Sequence, residues 1–247
     1  MTRTRPPRAA GRSDVGHKAP ATSPELLKRI RMVRRDIGDL LFHFTKQPPP
    51  DTDLTVRRGL LTTHFEPDAY GVLRKILADA ELRGTGTWSA GHPVVCFTEA
   101  PIQEFSYTFS LDEFAADESQ RPRYEPYGVA VPKIWLFQQG GRPVVYDHPG
   151  AINTFPEPIK YRFVPYDPVN GPDTSWEREW RIRTGALRLD PKHTLVVVPS
   201  VDQAVILMQE ESTVTVEPEH EHGGGGIIQN PNWLVVSLDL FGYRPTK

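Results

Sequence analysis

Two glutamates, Glu177 and Glu179, stand two positions apart between tryptophans, in the run Trp-Glu-Arg-Glu-Trp-Arg that ends at Arg181. If residues 177–183 form a strand, both carboxylates project from one face, because side chains alternate along a strand. Two like charges on one face repel each other, so the pattern indicates either a use for the acids or their neutralisation. The structural alternative is an edge strand on which Arg181 and Arg183 pair with the two acids.

A histidine and two threonines stand on two earlier segments. In the run Phe-His-Phe-Thr, His43 and Thr45 share one face of a short predicted strand and are flanked by aromatic residues. Thr98 and Glu99 follow an apolar run, which places a hydroxyl and an acid at the end of a buried strand. The structural alternatives are a histidine satisfied within the core and a side chain that caps a strand end. Cys96, inside the apolar run, is expected to be a buried, inert thiol.

The elements that must position these side chains are many short strands and few helices. Apolar residues at helical spacing predict helices, and short apolar or alternating runs predict strands. We expect helices at about 24–37 and 67–82, a helical turn at 132–138, and strands at 40–45, 94–99, 127–131, 143–147, 161–164, 177–183, 194–198, 213–217 and 234–240. This order predicts an α+β fold, a twisted and mostly antiparallel sheet with two or three helices.

Composition places the chain among globular proteins, with 247 residues, 38% hydrophobic and 24% charged. Residues 1–22 combine prolines and glycines without apolar periodicity, so we predict a disordered basic tail and a single α+β domain over 23–247. One cysteine excludes an intrachain disulfide and any zinc site built from several thiolates. Neither a membrane-spanning run nor a secretory signal is recognisable, so we expect a cytoplasmic protein without membrane contact.

The charge is distributed unevenly. Residues 1–35 carry ten Lys or Arg against two acids, a net charge of +8, and the rest of the chain has a net charge of −10. The basic arm has the charge to contact nucleic-acid phosphates, and its structural alternative is a solvated tail with a charged helix face. The acidic body is not expected to bind polyanions.

Two other segments contain residues typical of ligand sites but do not predict one. The run 217–222 alternates glutamate and histidine before four glycines, but nothing rigid holds these side chains, so no metal site is predicted. The glycine-rich loop 84–91 is followed by a strand rather than a helix, which excludes a dinucleotide-binding fingerprint and favours a flexible flap.

In chain order, His43, Thr98 and the pair Glu177-x-Glu179 resemble the site segments of the ADP-ribosyltransferase superfamily. These are a His or Arg on an early strand, a Ser, Thr or Tyr on a middle strand, and a Glu, often within Glu-x-Glu, on a later one. The chain is also similar to bacterial proteins of abortive phage infection, the AbiGi-like and related uncharacterised proteins, in the segments 42–45, 95–99, 127–128, 141–146 and 177–181. The likeness spans about residues 40–183 and implies a split sheet of the ADP-ribosyltransferase type.

The resemblance implies NAD as a substrate and a role for each residue. Glu179 would stabilise the oxocarbenium-like ribose that forms as nicotinamide leaves. His43 would hold the adenosine-side ribose, and Thr98 would brace the carboxylate or the other ribose. Glu177 would orient or deprotonate the acceptor nucleophile. The remaining cofactor-binding candidates are Thr45, beside His43, and the aromatic residues Phe44, Tyr107 and Tyr127, of which the aromatics would stack on nicotinamide.

The sequence therefore favours one function and leaves an alternative, and the two differ at Glu179. The first is an NAD-dependent ADP-ribosyltransferase or NAD glycohydrolase in phage defence, which modifies a protein or nucleic-acid acceptor. The second is a non-catalytic protein on the same fold, such as the neutralising partner in a two-component defence system. The enzyme requires His43, Thr98 and Glu179 to converge on one pocket, with room for the dinucleotide and the acid free of a guanidinium.

Overall fold

The structure of the protein is a computed structural model that describes residues 23, 38–58, 61–86, 89–115, 124–171, 173–212 and 232–244. The chain divides into two units, 1–35 and 36–247, and every described residue except Ser23 belongs to the second unit. The predicted tail (1–22), helix (24–37), strand (213–217) and Glu/His run (217–222) lie outside the described residues.

Thirteen strands and four α-helices make up the described part of the second unit. The strands are β1 (Leu40–Phe44), β2 (Thr55–Arg58), β3 (Leu61–His64), β4 (Glu81–Arg83), β5 (Val94–Thr98), β6 (Gly128–Pro132), β7 (Arg142–Pro143), β8 (Val145–Asp147), β9 (Phe163–Pro165), β10 (Glu179–Arg183), β11 (Ala186–Arg188), β12 (Leu195–Val198) and β13 (Leu234–Ser237). The helices are α1 (Ala69–Asp79), α2 (Ile102–Ala115), α3 (Lys133–Gln138) and α4 (Val201–Ser212). Short 3₁₀ turns occur at Pro149–Thr154, Glu157–Arg162, Ser175–Glu177, Pro191–His193 and Leu238–Phe241.

Seven strands form the central sheet, in the order β13-β12-β6-β1-β5-β10-β7. All neighbours are antiparallel except β12 and β13, which run parallel. This arrangement confirms the predicted α+β class and the mostly antiparallel sheet. No helix within the described ranges has the length and apolar content needed to cross a membrane.

The sheet separates two apolar clusters, and β1 contributes to both. Leu41 points to the first face, where α1, α3 and α4 cover the sheet with residues such as Leu73 and Leu207. Phe42 and Phe44 point to the second face, which α2 covers. The alternation predicted for this strand is confirmed, because neighbouring side chains take part in different cores.

Local chemistry defines the limits of α1. The Asp68 carboxylate accepts a hydrogen bond from the Gly71 N–H at 2.6 Å, which caps the first turn. Gly71 is required there, since a Cβ would lie 1.9 Å from the Glu66 carbonyl oxygen. The helix ends at Ala80, which adopts a left-handed conformation with φ of 49°.

The central sheet splits between β1 and β5. Their ladder has a single residue pair, Phe42 opposite Thr98, whereas the β1–β6 and β5–β10 ladders each have five pairs. The imidazole of His43 lies beyond that pair and bonds to the β5 backbone. The split therefore begins at one of the predicted site residues.

Several predicted elements change at their ends. The strand expected over 143–147 is interrupted at Val144, whose N–H donates to the Glu179 carbonyl at 3.0 Å, and continues as β8 in a separate two-stranded sheet with β9. The segments at 161–164 and 234–240 each include part of a 3₁₀ turn. Helices α2 and α4, the β2–β3 hairpin and the two-stranded sheet of β4 and β11 are additional to the prediction, and β4 takes the place of the last residues of the helix predicted over 67–82.

Candidate functional site

The three strands that carry His43, Thr98 and Glu179 are neighbours in the sheet, in the order β1-β5-β10. Thr98 lies in the middle, because it is paired with Phe42 on one side and with Glu179 on the other. Strand pairing thus brings together residues that are far apart in sequence: His43 and Thr98 are separated by 55 positions, and Thr98 and Glu179 by 81. The fold places Thr98 and Glu179 on the same face as cross-strand partners.

His43 belongs to the opposite face. Phe42 shares the face of Thr98 and Glu179, so the next residue along β1 points the other way. The imidazole ring accordingly lies 5.8 Å, centroid to centroid, from the ring of Phe97. The structure therefore joins two of the three predicted residues and separates the imidazole from the acid.

The His43 ring is held by the backbone across the split. Its Nδ1 lies 2.8 Å from the Cys96 carbonyl oxygen, and since a carbonyl only accepts, Nδ1 carries the proton. Burial lowers the pKa of His43 and outweighs the bond to Cys96, which raises it. On the other side of β1 the backbone of β6 approaches closely, since a Cβ on Gly128 would lie 2.3 Å from the His43 carbonyl oxygen. The neutral imidazole acts as a side-chain bridge between two separating strands.

Both threonine hydroxyls are bonded to the protein backbone. Thr45 Oγ1 lies 2.9 Å from the Ala69 carbonyl oxygen and 3.1 Å from that of Tyr127. Thr98 Oγ1 donates to the Glu177 carbonyl and accepts from the Ala100 N–H at 3.1 Å. Both side chains are buried. Thr98 thus braces the turn before β10 rather than presenting its hydroxyl to a ligand.

The two glutamates do not share a strand face, so the predicted strand over 177–183 is wrong in its first two residues. Ser175–Glu177 forms a 3₁₀ turn, and Arg178 adopts a left-handed conformation with φ of 47° before β10 begins at Glu179. This reversal turns Glu177 into the protein, where its Oε2 accepts from the Tyr124 hydroxyl at 2.9 Å. Because Glu177 is only 5% exposed, its carboxylate cannot contact an acceptor substrate at the protein surface.

Glu179 is paired with Arg181 at both carboxylate oxygens. Arg181 Nε lies 2.7 Å from Oε1, and one terminal nitrogen lies 3.2 Å from Oε2. The other terminal nitrogen donates to the carbonyls of Tyr161 at 2.9 Å and Phe163 at 3.1 Å. Burial opposes the charged form of Arg181, but the bonds to Glu179 outweigh it and raise its pKa. The predicted neutralisation of the acids thus holds for Glu179 and Arg181.

Arg183 has no such role in the described geometry. It lies exposed at the end of β10, and its guanidinium carbon is 5.8 Å from the centroid of the Tyr161 ring. It does not complete the neutralisation that the sequence suggested for both arginines.

Two further residues, Cys96 and Tyr146, lie beside this pair and are not among the predicted site residues. Cys96 is the cross-strand partner of Arg181, and burial, with the Glu179 charge adding to it, raises its thiol pKa to about 12. The Tyr146 hydroxyl accepts from the Glu179 N–H at 3.2 Å, and burial raises the pKa of this tyrosine. Tyr146 ends the segment 141–146 on which the family resemblance partly rested, and that is the signal that could have indicated it.

The aromatic candidates lie in different surroundings. The Phe44 ring is enclosed, with centroids 4.7 Å from Phe105 and 4.9 Å from Phe109. Tyr127 is half-buried, 5.5 Å from the ring of Tyr70, and burial raises its pKa. Tyr107 lies on α2, at a position where the structure describes no side chain. Trp176, which directly precedes Glu177, is an aromatic residue whose side chain is accessible to solvent, with 40% of its surface exposed.

A second ion pair, half-buried, lies on the opposite face of the same strands. Glu99 Oε1 lies 2.6 Å from Lys133 Nζ, and Glu99 Oε2 accepts from Trp180 Nε1 at 2.8 Å. The pair joins the end of β5 to the start of α3, so the hydroxyl-and-acid signal at 98–99 marks two structural contacts.

Within the described ranges, no three His, Cys, Asp or Glu side chains are grouped so as to hold a metal ion. Comparison of the chain with protein-family models, curated proteins and solved structures gives no match.

Proposed function

We propose that the chain is a non-catalytic interaction protein built on a sheet of the ADP-ribosyltransferase type, the neutralising partner in a two-component phage-defence system. One observation carries this proposal: Arg181 occupies both oxygens of the carboxylate that would do the chemistry. The defence setting rests on the resemblance to abortive-infection proteins, and the partner would be the protein that the chain neutralises.

Transition-state electrostatics support the non-catalytic assignment. As the bond between nicotinamide and ribose breaks, positive charge develops on the sugar, and an anion lowers the barrier only if its charge is available. The positive guanidinium bonded to both oxygens of Glu179 offsets much of the negative potential that this carboxylate would supply to the sugar. The imidazole that should orient the dinucleotide belongs to the other face of the sheet.

The energetic cost of freeing the acid points the same way. Arg181 is 5% exposed and also holds two backbone carbonyls, so moving it away would leave a buried charge without partners. Loss of one member of a buried ion pair costs about 3–5 kcal/mol. A dinucleotide would have to supply that energy before any catalysis began.

A nicotinamide-release assay on the purified chain tests the proposal. We expect no release from NAD above the uncatalysed background, with or without added nucleic acid, for the wild type and for Glu179→Gln alike. Glu99→Gln, which alters an ion pair on the other face, is the matched control. Turnover by the wild type that disappears in Glu179→Gln and persists in Glu99→Gln would overturn the proposal.

A second candidate is an NAD-dependent ADP-ribosyltransferase with a protein or nucleic-acid acceptor. It is supported by the position of His43, Thr98 and Glu179 on three neighbouring strands, next to a split in the sheet. This function requires Arg181 to leave the carboxylate. Removal of the guanidinium in Arg181→Gln would then increase nicotinamide release. A non-catalytic protein would show no release with this substitution either.

A further inference from the structure

The loop 166–174 connects β9 to the 3₁₀ turn that carries Glu177. It contains the one asparagine of the chain that is directly followed by glycine, Asn170 before Gly171, and both residues are exposed. An asparagine side chain loses its amide group most readily before glycine, because glycine has no Cβ to hinder the approach of its own nitrogen. The sequence and the exposure together mark a candidate site of spontaneous modification.

The modification needs no reagent other than water. The Gly171 backbone nitrogen gives up its proton and attacks Cγ of Asn170, the bond from Cγ to Nδ2 breaks, and the amide leaves with that proton as ammonia. Water then opens the cyclic imide at either of its carbonyls, which leaves an aspartate or an isoaspartate at position 170.

The structure bonds both reacting groups to one residue, Asp167. The Gly171 N–H donates to the Asp167 carbonyl oxygen at 2.9 Å, and Asn170 Nδ2 donates to the Asp167 carboxylate at 2.9 Å. Since a carboxylate only accepts, the amide must present its nitrogen there. The same carboxylate accepts from the backbone N–H groups of Val169 at 3.1 Å and Asn170 at 3.2 Å.

We infer that Asn170 is a deamidation site that Asp167 keeps unreactive in the folded chain. The bond to the Asp167 carbonyl keeps the proton on the Gly171 nitrogen, and the bond to the carboxylate fixes the orientation of the amide. Both groups must leave Asp167 before they can react with each other, so the rate follows how often this loop opens.

The charge of Asp167 strengthens this protection and makes its loss permanent. The side-chain bond from Asn170 is the largest cause that holds the pKa of Asp167 below its usual range, so the carboxylate stays an acceptor at neutral pH. After conversion, position 170 would carry a second negative charge opposite Asp167, and the repulsion would keep the loop open. The inference does not rest on the proposed function, since it uses none of the residues bonded to Glu179.

Peptide mapping by mass spectrometry on the full chain, incubated at mildly alkaline pH, tests the protection. Conversion at position 170 in the folded wild type should be roughly tenfold or more slower than in the same chain unfolded in guanidinium chloride, because the closed loop holds several hydrogen bonds. Asn153 is exposed but precedes Thr154, whose side chain hinders the attack. It is the internal reference and should stay unconverted in both states.

Three variants assign the protection to Asp167. Asp167→Ala removes the three bonds to the carboxylate and should raise the folded-state rate by roughly fivefold or more. Asp173→Ala is the matched control and should react like the wild type, because that acid of the same loop bonds to Ser175 instead. Gly171→Ala should suppress conversion even in the unfolded chain, and its Cβ would lie at an ordinary 3.4 Å from the Asp167 carbonyl oxygen.

Far-ultraviolet circular dichroism checks that each variant is folded before its rate is compared. Equal rates in the folded and the unfolded wild type would overturn the inference, and this comparison needs no variant. A folded Asp167→Ala that reacts at the wild-type rate would also overturn it, because the carboxylate would then protect nothing. An unfolded wild type that keeps its amide at position 170 would show that Asn170 is no deamidation site.

Discussion

Each face of strands β5 and β10 carries one ion pair, and the two pairs are built differently. On the second face, Glu179 and Arg181 come from a single strand, and the guanidinium also holds two carbonyls of the segment 161–163. On the first face, Glu99 and Lys133 come from different elements, with an indole N–H on the same carboxylate. Both acids are 15% exposed at the side chain.

Each pair supports a different part of the sheet. The Glu99 pair joins the central sheet to α3 through one point charge. The Arg181 guanidinium joins β10 to the segment 161–163. It does so with a planar group of several donors, a geometry that lysine lacks. Glu179 is the acid to which the resemblance assigns catalysis, and nothing assigns catalysis to Glu99. Both carboxylates nevertheless have bonds to protein donors at both oxygens.

Removal of Arg181 should have the largest effect. Arg181→Leu leaves Glu179 buried without its partner and two carbonyls without a donor, so we expect a loss of about 3–5 kcal/mol of unfolding free energy. Urea denaturation measures it. The double variant Arg181→Leu, Glu179→Leu should recover much of the loss, since no charge is left unpaired. Additive losses in that double variant would argue against a coupled pair.

The Glu99 pair should be less costly to break. Glu99→Gln keeps an acceptor for the Trp180 indole and removes only the charge facing Lys133, for which we expect a loss of about 2 kcal/mol. The same urea titration measures it, and Glu104→Gln, on the exposed side of α2, controls for an acid removed from the surface. A loss equal to that of Arg181→Leu would erase the distinction between the two faces.

Stability should also fall as the pH is lowered, because His43 is buried as a neutral imidazole. Burial holds the folded pKa of His43 below its ordinary value of 6.5, so the unfolded chain binds the proton more readily. The contribution of His43 to the free energy of unfolding is therefore complete above about pH 6.5. It is lost as the pH falls toward the folded pKa, by at most about 1.4 kcal/mol per pH unit. Unfolding free energies of the wild type and His43→Gln between pH 7.5 and 5.5 measure this, and the variant should show the shallower slope. Parallel slopes would mean that other groups carry the pH dependence.

Short apolar runs made much of the fold predictable. The runs predicted as strands at 40–45 and 94–99 became β1 and β5, because a strand buried on both faces has a nearly continuous apolar sequence. Helix α2 was not predicted, because its sequence is rich in aromatic residues, serine and threonine, which are weak helix formers. Helix α4 carries apolar residues on its outer side as well as its inner side, so no single stripe marks it.

The candidate site was predictable in its residue types and in one contact. The pairing of Glu179 with Arg181 follows from their spacing along one strand. The sheet order that makes the strands of Thr98 and Glu179 neighbours does not follow from the order of the residues along the chain. The left-handed Arg178 could not be foreseen, because a single non-glycine residue in that conformation has no sequence signature. That one residue removes Glu177 from the strand, and with it the paired-carboxylate geometry.

Tyr146→Phe should have the smallest effect and gives the finest test of the second face. The change removes the hydroxyl that accepts from the Glu179 N–H and keeps the ring that packs 6.2 Å from Tyr166. One neutral hydrogen bond contributes about 1 kcal/mol or less, so the urea midpoint should move only slightly. Tyr166→Phe, whose hydroxyl bonds an exposed acid, is the matched control with no expected change. A loss comparable to that of Arg181→Leu would mean that the phenol, rather than the guanidinium, holds the carboxylate strand in place.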